Sequence, residues 1–360
     1  MYKIIFVSLI LNCCTIHLLS NITTKQIDSL EKKILQTDDN LERAQFCNEF
    51  SKRTFTTNPQ LSVHYAYKAL KHLKNEKDDI ESIKSYRRIA RYQFNLTKYD
   101  SAIYSLRKAL NISISTNNYP YQCGITGEIG LCVNKIFGAD SSAYYYRMAI
   151  KIAEEHALWS DIYIPLSYLA NYLSEKGMYN KAIENLNKAT KYSENSKDSI
   201  ALSSIYLDFG KIYWKLNDQK QALEYLLMSK EICQKKKKHF RLSSVLVHIG
   251  QVYINEKSYN KAISNFKQAL EINNKLCDYN GEINTIQLLG NTHSLKGDNN
   301  QAFFYLKKAL QKAKSSGVKQ QIADALISTA ALNIKVGNIV DAKKQLLEAE
   351  DIARDRKSVV

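Results

Sequence analysis

The feature that most constrains this chain is a ruler of forty residues, marked by small side chains in three columns. The first column holds Ser62, Ala102, Ser142, Ala182, Ala222, Ala262, Ala302 and Ala342. The second lies seven residues on: Ala69, Ala109, Ala149, Ala189, Ser229, Ala269, Ala309 and Ala349. The third lies twelve residues before the first: Phe50, Ala90, Gly130, Ala170, Gly210, Gly250, Gly290 and Ala330. Gly, Ala or Ser fills 23 of these 24 positions, although the three types make up only 71 of the 360 residues. Chance does not place them so. Eight windows fill residues 41–360 without an insertion, and a fixed period of this size signals stacked repeats.

Apolar spacing inside each window predicts a pair of helices. Large apolar residues precede the third column (Ile89, Ile129, Leu169, Phe209, Ile249, Leu289), with others three residues earlier (Tyr86, Leu166, Tyr206, Leu246, Ile286, Leu326). Offsets of three and four make one helical face. A turn follows, such as Lys176-Gly177-Met178, and then a second apolar face, such as Ala262, Ile263, Phe266, Ala269 and Leu270. Small residues in register let two helices approach closely. Composition agrees: 45% of residues are hydrophobic and 24% charged, ordinary for a packed chain, while 3 Pro and 12 Gly are too few for a many-stranded β fold.

At these residues the chain resembles the tetratricopeptide-repeat proteins. The clearest match is Leu246, Ile249-Gly250, Tyr253, Tyr259, Ala262, Phe266 and Ala269. The resemblance covers residues 41–360. It implies an all-α fold: a right-handed α-solenoid of eight helix-turn-helix repeats. Two departures are visible, a period of 40 in place of 34 and the missing closing Pro. Both predict longer helices, as in long-repeat relatives such as the peptide-pheromone receptors of Gram-positive bacteria. Gly124, Gly127 and Gly130 share one first helix and should weaken it.

The expected domains are a signal peptide over 1–20, a capping helix over 21–40 and the repeats over 41–360. Lys3 precedes an apolar run, Ile4–Leu19, too short for a span of about 20 residues. An exported protein of the periplasm or envelope is therefore expected, with a lipidated, retained or unused leader as alternatives. No later stretch is apolar enough to span a membrane. The eighth repeat is expected to lack a cap of its own and to offer a place for self-association.

Nothing in the sequence argues for catalysis, a metal or a cofactor. The seven His are scattered, without an HExxH or CxxC pair. Cys47, Cys123, Cys132, Cys233 and Cys277 read as buried small hydrophobes. Lys235–Lys238 reads as a solvated junction, and the 24 Tyr as packing groups. The net charge of +16 favours acidic partners. The basic residues are spread through the repeats, so nucleic acid is the disfavoured one.

The resemblance implies that first helices line a concave groove and that the residue after the Gly/Ala column faces it. Candidate partner-binding residues are therefore Arg91, Asn171, Lys211, Gln251 and Asn291, with Asn95, Lys135, Lys215 and Asn255 on the same helix face. Amides suit a peptide backbone, and Lys and Arg suit carboxylates. The expected function is a non-enzymatic scaffold that binds a protein or an extended, acidic peptide. A sensory input module without its own output domain, or a cytoplasmic peptide receptor, are the alternatives.

Overall fold

The computed structural model describes residues 24–357 apart from 56–57, 76–77 and 277. The apolar N-terminal run and Cys277 lie outside the described residues. A single helix, α1 (Thr24–Gln36), precedes eight antiparallel pairs. These are α2 (Asn40–Thr54) with α3 (Pro59–His72), α4 (Asp79–Asn95) with α5 (Tyr99–Ser115), and α6 (Tyr119–Phe137) with α7 (Ala139–Glu155). Then follow α8 (Tyr163–Glu175) with α9 (Tyr179–Asn195), α10 (Ser199–Lys215) with α11 (Gln219–Lys235), and α12 (His239–Asn255) with α13 (Tyr259–Leu276). The last are α14 (Tyr279–Lys296) with α15 (Asn299–Ser316) and α16 (Lys319–Lys335) with α17 (Ile339–Lys357). No strand occurs among the described residues.

The period divides into two halves of twenty. Eleven of the seventeen described helices run 17 or 18 residues, and most turns place a residue of positive φ one or two positions past the helix end. These turn residues are Thr97, Asn117, Ala157, Gly177, Lys197, Asn217, Lys237, Lys257, Gly297, Gly317 and Gly337. The left-handed residue lets the chain reverse within three residues. Asp78, Asn118, Asp198, Asp218, Asp278 and Asp298 then cap the next helix by accepting from backbone N–H groups two or three residues on. Helices of about 25 Å, at 1.5 Å per residue, account for a period longer than 34.

The small columns are where paired helices meet. A Cβ on Gly250 would lie 2.4 Å from Cε1 of Phe266, and one on Gly130 2.5 Å from Cε1 of Tyr146. Only glycine lets these ring edges come so close to the backbone. α6 stays continuous through its three glycines because neighbouring side chains fill their space: Arg87 over Gly124, Tyr168 over Gly127 and Tyr146 over Gly130. Ala222 is wholly buried between α10 and α11, where its carbonyl closes on Gly210. Ala222→Leu is expected to cost ~1–3 kcal/mol by overpacking, whereas Lys220→Leu on the exposed face should leave the melting temperature nearly unchanged. Equal melting temperatures for the two variants would refute this account of the column.

The core continues along the array. Tyr65 and Tyr146 are fully buried, and Phe209, Tyr213 and Tyr225 stack at 4.7–6.4 Å. Cys47, Cys123, Cys132 and Cys233 are buried free thiols. At the N-terminal end α1 inserts Ile34 among Ala44, Cys47, Tyr65 and Ala69. Its Glu31 accepts from the Tyr65 hydroxyl at 2.6 Å and pairs with Lys68. Among the described residues no helix is long and apolar enough to cross a membrane.

Candidate binding groove

The two helices of each pair lie in different layers. First helices α2, α4, α6, α8 and α10 each pack on the first helix of the following pair, as α14 does on α16. Second helices have no comparable packing on one another. The first helices are therefore the closely spaced, inner layer of a curved stack, and the groove is theirs.

The floor of this layer is a column two residues before the Gly/Ala column: Asn48, Arg88, Glu128, Tyr168, Asp208, His248, Leu288 and Ser328. Every member is buried or half-buried. Five of the eight are charged or aromatic-polar, inside helices whose neighbouring positions are apolar, as in Val247-His248-Ile249. Burying such groups is costly unless they are paired.

Most are paired. Glu128 is held by Arg87, which donates from Nε and Nη2 at 3.0 and 2.9 Å, and by Arg91, which donates from Nη2 at 2.6 Å. Burial alone would raise the Glu128 carboxyl, but the two guanidinium groups outweigh it and hold the pKa at about 2. Asp208 accepts from Lys211 Nζ at 2.8 Å. His248 Nδ1 lies 2.7 Å from Gln251 Oε1. Burial, then the charge of Lys211, pushes this histidine down to about 4, so it is neutral at pH 7.

Arg88 differs. Its guanidinium is half-buried, lies 5.2 Å over the Phe55 ring, and makes no ion pair among the described residues. Burial, then the neighbouring Arg91 and Arg87, lowers it to about 10, so it remains charged at pH 7. It borders a cavity of about 420 Å3 with Gln45, Asn48, Glu49, Lys52, Glu81 and Lys84. Within that wall Glu81 is already used: it accepts from Asn48 Nδ2 at 2.8 Å and from Lys84 Nζ at 2.6 Å. Glu49, on the same wall, pairs with Arg53 at 2.9 Å. Among the described residues Lys52 and Arg88 are left facing the cavity without an ion pair.

The residues predicted from spacing all lie on first helices, yet along the whole array and not in one cluster. Each of the first five already has a partner within the chain. Arg91 holds Glu128. Asn171 Nδ2 donates to the Ser167 carbonyl at 3.0 Å. Lys211 holds Asp208, and Gln251 meets His248. Asn291 Nδ2 lies 3.5 Å from Ser328 Oγ. Asn95, Lys135, Lys215 and Asn255 are exposed one turn further on. Spacing passed over Arg88, Glu128, Asp208 and His248, although an ionisable residue recurring between two apolar ones was a legible signal. Lys235–Lys238 is exposed at the α11–α12 turn.

The family model of the tetratricopeptide repeat matches residues 161–235 and 241–315. No curated protein matches the sequence. Among solved structures, the Rap protein complexed with Competence and Sporulation Factor is similar at 14% identity, TM-score 0.65, with 91% of each chain covered. The apo quorum sensor NprR from B. thuringiensis is similar at 14% identity, TM-score 0.60, covering 91% of this chain and 92% of that one. Apo RapI follows at 19% identity and TM-score 0.55, with 91% of each covered. At such identities the likeness is one of fold.

Proposed function

We propose that the chain, which matches the tetratricopeptide-repeat model over residues 161–235 and 241–315 and whose first helices share one inner layer, is a non-enzymatic scaffold binding an extended acidic peptide or protein segment in that layer. The observation that carries this is Arg88, a half-buried charge without an ion pair among the described residues, beside Lys52 at a cavity of about 420 Å3 whose carboxylates Glu49 and Glu81 are held by Arg53 and Lys84. A ligand carboxylate there would supply the missing counter-charge, and Arg presents two parallel donors for it. The exposed amides Asn95 and Asn255 and the amines Lys135 and Lys215 would meet the rest of the segment. The net charge of +16 acts in the same direction over longer distances.

The test is titration of the chain with fluorescent peptides of about ten residues, acidic, neutral and basic. Acidic peptides should bind best and weaken with salt. Arg88→Ala should lose about 10- to 100-fold, the weight of a charge-assisted hydrogen bond, and Arg88→Lys should recover part of it. Equal affinity for Arg88→Ala and the parent chain would overturn the assignment.

For location, we infer export to the periplasm or envelope from the apolar run after Lys3. The cytoplasmic peptide-receptor reading has one observation in its favour: the fold likeness to NprR, titled a quorum sensor, and to Rap in complex with its factor. Cell fractionation of the full chain separates the two.

A further inference from the structure

The stacking face of the last pair is open. Leu346 is 42% exposed, whereas its forty-residue counterparts Leu106, Tyr146, Leu186, Leu226, Phe266 and Leu306 are all at 2% or below. Around it Ile334, Ile339, Leu347, Lys343 and Glu350 line a shallow depression of about 330 Å3. Ile339, Leu347 and Ile334 are 59%, 51% and 51% exposed.

Two side chains on this face depart from the repeat. Lys343 stands where the seven earlier windows have Val63, Ile103, Ala143, Ile183, Leu223, Ile263 and Phe303. Glu350 stands where five of the seven have Leu or Ile. The residues are of opposite charge, seven apart, on either side of Leu346, and so on one helix face about 10 Å apart. Another ordinary repeat laid on this face would bury both charges against apolar side chains. A helix running antiparallel, with Glu opposite Lys343 and Lys opposite Glu350, would satisfy both. α17 itself has that sequence. Turned through a two-fold axis at Leu346–Leu347, it sets Lys343 against Glu350 of the second copy, and the reverse. The same rotation sets Ile339 opposite the aliphatic stem of Arg354 and leucine on leucine at the centre. Such a patch is self-complementary, as a two-fold interface requires.

We propose that a second copy of this chain docks on the α16–α17 face, forming an isologous dimer through Leu346, Leu347 and the reciprocal Lys343–Glu350 pairs. One helix face is a small interface, so the dimer should exchange at about micromolar concentration. Glu350 also pairs with Arg354 of its own helix at 2.7 Å, an exposed contact. That pair occupies one carboxylate oxygen and leaves the other for Lys343 of the second copy. The Arg88 cavity, on α2 and α4, is untouched, so dimerisation and peptide binding are independent proposals.

Sedimentation velocity of the full chain over a wide concentration range tests it. The parent should show a concentration-dependent dimer. Lys343→Glu alone faces two carboxylates across the axis, and Glu350→Lys alone faces two amines, so each should weaken self-association at least about tenfold. An equimolar mixture of the two single variants should dimerise again, because only the heterodimer restores both pairs. The double variant Lys343→Glu/Glu350→Lys should also recover. Both sites are exposed, and unchanged circular dichroism will confirm folding. A parent that stays monomeric, as when another segment covers this face, overturns the proposal. So does a dimer indifferent to the single reversals, or a mixture no stronger than its components.

Discussion

Glu128→Ala is expected to destabilise the array by ~3–5 kcal/mol, the largest effect of any single charged residue. The substitution leaves Arg87, whose side chain is 23% exposed, without its carboxylate between two first helices. Removing one partner of a buried ion pair costs far more than the pair contributes, because the remaining charge stays desolvated. Arg91→Met should cost much less, about 1 kcal/mol or below, since Arg91 is 49% exposed and Arg87 still holds the carboxylate. A paired replacement, Arg87→Met with Glu128→Leu, should recover most of the loss, because neither charge is then stranded. Urea unfolding midpoints of the three variants and the parent check this. An Ala variant as stable as the parent would show that the pair is not desolvated.

The same carboxylate carries a pH dependence. Its folded pKa is about 2, below the ordinary carboxylate value of 4.5. A depressed pKa means that the folded state binds this proton less readily than the unfolded one. The stabilisation is therefore complete above about pH 5 and is lost as pH falls from there toward 2. The shift corresponds to ~3 kcal/mol at 1.36 kcal/mol per unit. In Glu128→Gln the slope of stability against pH between 5 and 2 should be visibly shallower than in the parent.

Phe266→Ala is expected to cost ~3–5 kcal/mol, the usual loss for an aromatic side chain emptied from a packed core. Phe266 is wholly buried, and its ring edge lies where a side chain on Gly250 would be. Gly250→Ala alone should cost ~1–3 kcal/mol, since its Cβ would sit 2.4 Å from Cε1 of Phe266 and the ring has no room to retreat. The two losses should not add. With the ring removed, a methyl or larger group at residue 250 occupies the vacated space. Gly250→Leu/Phe266→Ala should thus be more stable than Phe266→Ala alone, a coupling readable in a double-mutant cycle. Strict additivity would mean that the ring and the glycine do not share one space.

How much of this was legible follows from how local each signal is. Gly250, Ala262 and Ala269 announce a close helix contact because every repeat needs the same small side chain there. The helix ends were partly legible. Gly177 and Gly297 mark turns, but Lys237, Lys257 and Ala157 take the same left-handed conformation without a glycine to announce it. The candidate site was legible only as a layer. Arg91, Lys211 and Gln251 do lie on the first helices, yet each is engaged inside the chain. Nothing in the spacing separates an engaged cation from an open one.

Arg87 and Arg88 make the distinction plain. They are adjacent in sequence and point about 100° apart on α4. One finds Glu128, forty-one residues on, and is neutralised; the other finds the Phe55 ring and an open cavity. The sequence by itself determined the all-helical class, the forty-residue unit and the columns of small residues, because these repeat and depend on neighbours three to seven positions away. Tertiary structure alone decided which charges are spent, which face a cavity and which apolar face is left open at α17. Those outcomes depend on the rotation of one repeat against the next, a small angle that no residue encodes alone.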